Sequence, residues 1–147
     1  MIAPRLIQLI ERHSEEIAHG LMERLRMDPN LSDIMKVPEA EMRLRVVEIY
    51  KNLSDWMTTR TEAEVARSYT EIGARRAGQG VALSALIGAL IAVKEHLRDF
   101  IKREAMADRP VEIIEELSLC EMVDQFFDRA IYHAARGYEH AASPRAA

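Results

Sequence analysis

Apolar residues recur along this chain at intervals of three and four and almost nowhere in alternation, so the pattern predicts helices throughout and no strand. Leu6, Ile10, Ile17, Leu21 and Leu25 share one face of a first helix over 4–27, opened by Pro4 and stopped by Asp28-Pro29-Asn30. A short turn over 31–35 leads to Val37-Pro38. Met42, Val46, Ile49, Leu53, Trp56 and Met57 then mark a second helix over 39–59. Thr61 with Glu64 three residues on has the form of a capping box and opens a third helix over 61–77, which Gly78-Gln79-Gly80 ends. Two long helices, 81–107 and 110–140, complete an all-α chain. Residues 1–140 make one helical domain, and the tail 141–147, with little to bury, is expected to be flexible.

Projected at helical pitch, the two long helices carry the most information. In the first, Leu83, Leu86, Leu90, Val93, Leu97 and Ile101 form a bulky stripe, and Ala82, Ala85, Ala89 and Ala92 form a small-residue stripe leading to His96. Small residues let another backbone approach closely. In the last helix, Ile113, Leu117, Cys120, Val123, Phe127, Ile131, Ala134 and Tyr138 make one apolar stripe. Leu119, Met122, Phe126, Ala130 and Gly137 make a second beside it. A helix this apolar packs on two bodies, and the second body is expected to be another copy of the chain, giving a homodimer through the last two helices with Leu119, Met122, Phe126 and Ala130 at its interface. The alternative is that the second stripe only covers the third helix of the same chain.

Length and charge narrow the functional classes. At 147 residues and 48% hydrophobic content the chain suits a single domain with one core, which excludes disorder as its main state. Its net charge of −4 and scattered basic residues argue against nucleic acid, which needs a basic face. The uncharged run Gly80 to Val93 is 14 residues, short of the roughly 20 that cross a bilayer, so no membrane is expected. One cysteine, Cys120, forms no internal disulfide, and the first residues lack a secretory pattern, so a cytoplasmic protein is expected.

Candidate chemistry is sparse. His13, Glu16 and His19 include one Glu-x-x-His pattern, by which helical bundles hold paired metals. A second copy of that pattern is missing, because the positions three before His96, His133 and His140 are Val93, Ala130 and Gly137. The three residues read as a solvated face, with a metal site as the weak alternative. An axial haem histidine would be sought between the third and fourth helices, and Arg75 to Gly80 holds none. Cys120 lies in an apolar stripe, where a thiol is a small buried hydrophobe. No phosphate loop, catalytic triad order or Cys-x-x-Cys occurs, so neither an enzyme nor a cofactor is expected.

The turn at Arg75 to Gly80 draws more interest. Gly78 or Gly80 is expected at positive φ, and Arg75 and Arg76, in the last turn of their helix, complement its exposed carbonyls. At least one arginine is expected to bond those carbonyls or to reach Asp124, Glu121 or Asp128, clamping the third helix to the last. The alternative is an exposed corner with ordinary capping.

Three segments carry a family resemblance: LIERHSEEIAHGLMERLRMDP up to Pro29, YTEIGARRAGQGVALSALIGALIAVKEHLRDFI over 69–101, and FFDRAIYHAARGY over 126–138. The second holds Gly73-x-x-Arg76-Ala77-x-Gln79-Gly80. Together they resemble the RsbRD N-terminal family, the sensor domain of RsbR-type stressosome co-antagonists and related sensor histidine kinases. The resemblance implies a globin-like helical domain without haem, dimeric through its last two helices, that passes a signal to an attached output domain or a partner protein. An antiparallel four- or five-helix bundle is the alternative fold, with helix pairs crossing near 20° instead of near 50°. The rival function is a carrier of a small molecule, haem or metal, with a cavity beside the Ala82–Ala92 stripe.

Overall fold

The computed structural model describes residues 4–105 and 110–143, and every regular element among them is helical. Six α-helices run Pro4–Arg12 (α1), Ser14–Met27 (α2), Glu39–Lys51 (α3), Glu62–Gly78 (α4), Leu83–Glu104 (α5) and Pro110–Ala142 (α6). A 3₁₀ segment at Pro29–Lys36 follows α2, and one π-helical turn at Asp55–Thr59 follows α3.

Two of the predicted helices are each interrupted once. The first divides at His13, whose ψ of 22° leaves the helical range, although the hydrogen bonds from His13 N–H to Leu9 and from Ile17 N–H to His13 continue across it. The bend lets both α1 and α2 rest on α3 and α5. The second loosens at Asn52, where the side-chain amide donates to the Glu48 carbonyl at 3.0 Å and competes with the helical ladder. The widened turn that follows carries Trp56 into the core.

The third helix begins as its sequence requires. Thr61 accepts from the Glu64 N–H at 3.2 Å and Glu64 reaches back to the Thr61 N–H at 3.4 Å, a complete capping box. Helix α5 starts at Leu83 rather than Val81, because Ala82 is held extended before it and the Ala82 N–H is taken by Asp33 at 2.6 Å. Its expected end falls partly outside the described residues. Helix α6 continues to Ala142, two residues past the expected His140, and residues 144–147 of the tail lie outside the described set.

The tightest pairing joins α4 to α6, with α5 beside them, and α2 and the 3₁₀ segment cover the other side of α5. Buried side chains from all of these elements make one core. The alanine stripe of α5 is used within the chain. Ala85, Ala89 and Ala92 are buried there, neighbouring Gly88 lies under Leu31 of the 3₁₀ segment, and His96 at the end of the stripe lies against Gly20 of α2.

Candidate functional site

Helices α3 and α4 are neighbours whose backbones do not pack together; side chains span the space between them above a floor made by α5. This cleft is the candidate site. Three groups of side chains define it, one at each end and one in the middle.

The first end is built by the close of α4. Gly80 has φ of +76°, its N–H donates to the Ala77 carbonyl at 3.1 Å, and the Val81 N–H donates to the Arg76 carbonyl at 3.1 Å. That pair of bonds is a Schellman cap with glycine at its left-handed position. Gly78 is the last helical residue and does not carry the positive φ. The cap points Arg75, Arg76 and Gln79 across the cleft at Glu41 in the first turn of α3. One Glu41 oxygen accepts from Arg75 Nε at 3.0 Å and from Arg75 Nη2. The other accepts from Arg76 Nη1 and from Gln79 Nε2 at 3.0 Å, while Gln79 Oε1 takes a further bond from Arg76 at 2.9 Å. The Arg76 side chain is 3% exposed and that of Glu41 21%, so the pair is buried on the arginine side and partly open on the glutamate side. The bonds from Arg75, Gln79 and Arg76 outweigh burial and hold the Glu41 carboxyl at about 2. Burial pushes the Arg76 guanidinium below its ordinary value while Glu41 supports its charge.

A clamp at this turn is thus present, with a different partner from the expected one. Arg75 and Arg76 reach α3, and Asp124 on α6 is bonded instead by Arg98 of α5 at 3.2 Å, with Lys94 at 3.9 Å. The turn is still tied to α6 by another route, since Tyr138 Oη donates to the Val81 carbonyl at 2.5 Å.

At the other end, Trp56 Nε1 donates to Glu48 at 3.2 Å and Arg60 stacks over the Trp56 ring at 4.6 Å while bonding Asp55 at 2.8 Å. Trp56 touches Tyr69 and Phe126 with ring centroids 6.0 and 6.2 Å apart, and Tyr69 and Phe126 are 5.9 Å apart. Phe126, Leu119 and Ala130 are at most 1% exposed in the single chain. These three therefore do not form the expected dimer interface: the stripe they belong to covers this chain's own α4 and the turn at Trp56, and only Met122 of the four is partly open.

Between the two ends stands Arg45. It lines an inner cavity of about 40 Å³, whose walls are otherwise almost wholly apolar and include Ala89, Leu86 and Tyr69, and it lines the open grooves on both sides. The cavity lies beside the alanine stripe, at Ala89. Neither Arg45 nor the hydroxyl of Tyr69 makes a hydrogen bond or ion pair among the described residues. Glu41, Arg45 and Tyr69 were not singled out from the sequence. Each stands in an ordinary helical position, and only the packing of α3 beside α4 brings them together.

The remaining candidates lie apart from the cleft. His13 and Glu16 are 3.6 Å apart on the surface, His19 is exposed, and no group of three or more metal-binding side chains is assembled among the described residues. Cys120 is buried, and desolvation raises its thiol pKa.

The family model for the RsbT co-antagonist protein rsbRD N-terminal domain matches residues 15–146. The chain belongs to that family. No curated protein and no solved structure matches it. An rsbRD N-terminal domain is a sensory or regulatory domain of the stressosome type. The segment that carried the resemblance gains a physical meaning in this one. Gly73 allows α4 to meet α6, Arg76 and Gln79 bind Glu41, and Gly80 makes the cap. No helix among the described residues is long and apolar enough to cross a membrane.

Proposed function

We propose that this rsbRD N-terminal domain is a homodimeric, haem-free sensor of globin-like form. It works in the cytoplasm without catalysis, receiving a signal and passing it by protein contact to an output domain or partner protein. The observation that carries the dimer is an apolar row on the first turns of α6, where Val111, Ile114 and Leu117 are 50%, 61% and 63% exposed at a spacing of three. Ile113, 45% exposed, widens it. A second copy covering this row would use the last helix as the resemblance implies, with a face distinct from the one Phe126 occupies.

Sedimentation tests it. The chain is expected to sediment as a dimer, and Ile114→Glu and Leu117→Glu, which touch no core position, are expected to give folded monomers. A monomeric parent, or two dimeric variants, would remove this interface. The small-molecule reading is favoured by the cavity at Ala89, but at about 40 Å³ that space is far below what haem requires. A Soret band in the purified protein would reverse that judgement.

A further inference from the structure

We propose that the α3/α4 cleft binds a small monocarboxylate carrying a short apolar group, with the carboxylate on Arg45 and the Tyr69 hydroxyl and the apolar end in the cavity at Ala89. The inference rests on the sensory reading for its consequence, though the site is argued from its own residues.

The donors come first. Tyr69 is 1% exposed as a residue, and its hydroxyl makes no hydrogen bond among the described residues, which leaves it free to donate to an acceptor in the groove it lines. Tyr69, Arg45 and Glu48 all line the outer groove. Arg45 has five donor hydrogens in a planar fork suited to a carboxylate and uses none of them among the described residues. The acids nearby are already engaged, Glu48 by Trp56 and Glu41 by Arg75, Arg76 and Gln79. Four arginines and two glutamates line the cleft and its cavity, which leaves the lining net positive and favours an anion.

Size and polarity then set the rest of the ligand. The inner cavity is apolar and about 40 Å³, whereas an engineered cavity that admits benzene is about 150 Å³. It suits a group of one or two carbons and excludes a ring. Arg45 and Tyr69 line the cavity as well as the groove, so a carboxylate held by these two would lie beside the apolar cavity. Arg76 also lines the cavity. An occupant would press on the Arg76–Glu41–Gln79 cluster, and through Gly80 and the Tyr138 bond to Val81 on the end of α6.

Propionate is a suitable probe, with 1-propanol and inorganic phosphate beside it, each titrated into the full chain while backbone amide NMR signals are followed. Propionate is expected to shift residues 45–49 and 68–72 saturably; 1-propanol lacks the charge and phosphate lacks the apolar end, and neither should match it. Arg45→Gln and Tyr69→Phe are each expected to weaken propionate about tenfold. Tyr69→Phe keeps the buried ring and Arg45 is exposed, so both variants should fold, which thermal melting checks. No saturable response, a phosphate response as strong as that to propionate, or unchanged affinity in both variants overturns the proposal. If propionate saturates the cleft and residues 138–142 do not respond, the site stands and its coupling to α6 fails, which separates this result from a failure of the sensory reading itself.

Discussion

Gly73 of α4 lies so close to Ala134 of α6 that a Cβ added to it would stand 1.9 Å from the Ala134 carbonyl oxygen. The contact is reciprocal one turn on, where a Cβ on Gly137 would stand 2.1 Å from the carbonyl oxygen of Thr70. Both obstacles are backbone atoms, which cannot swing aside as a side chain does. In an unobstructed helix, alanine in place of glycine gains about 1 kcal/mol. Here Gly73→Ala and Gly137→Ala are each expected to lose about 2–3 kcal/mol in urea unfolding, because the helices must separate to admit the methyl group. Gly78 supplies the control: a Cβ there meets nothing within 4 Å, and Gly78→Ala should be neutral or mildly stabilising.

The two arginines facing Glu41 should separate by burial. Arg76 is 3% exposed and Arg75 57%. Arg76→Ala is expected to cost about 3 kcal/mol, since it removes the buried cation and frees Gln79, whereas Arg75→Ala should cost far less because its guanidinium stays in water. Denaturant midpoints decide it, and equal losses would mean that the bridge acts as a single exposed pair.

Glu41 also predicts an acid-labile clamp. Its carboxyl is lowered from an ordinary 4.5 to about 2 in the folded chain, so the unfolded chain binds the proton more tightly. The stabilisation is complete above about pH 5 and is lost as the pH falls from there towards 2. Glu41→Gln should flatten the fall in stability over that interval when melting is followed against pH.

Phe126 and Ile114 lie on the same helix and should fail differently. Phe126 is packed on Trp56, Tyr69 and Phe127, the last at 5.2 Å between ring centroids, and Phe126→Ala should cost about 3–5 kcal/mol in a monomeric unfolding measurement. Ile114, 61% exposed, should leave monomer stability nearly unchanged when replaced by glutamate.

The sequence by itself determined whatever depends on neighbours within a turn or two. Helical period placed the elements, Thr61 and Glu64 capped α4, and the glycines after Arg76 required a left-handed stop, which Gly80 supplies. These are short-range effects, set by a backbone that must satisfy its own hydrogen bonds. The interruption at Asn52 is of the same local kind, since its own side chain bonds the Glu48 carbonyl one turn back, whereas the bend at His13 accompanies the packing of α1 and α2 on α3 and α5. What only the tertiary structure decided is which surfaces meet. The apolar second stripe of α6 fits a second copy or this chain's own α4 equally well, because burial is non-directional and registers only that a face leaves water. The backbone approach at Gly73 and Gly137 settles it in favour of α4. In the same way a charged side chain at the end of α4 demands an acid without naming it. Glu41, some 35 residues earlier in the chain, meets Arg76 only because α3 lies across the cleft, and the same placement puts Arg45 and Tyr69 on the walls of a space that none of the described residues fills.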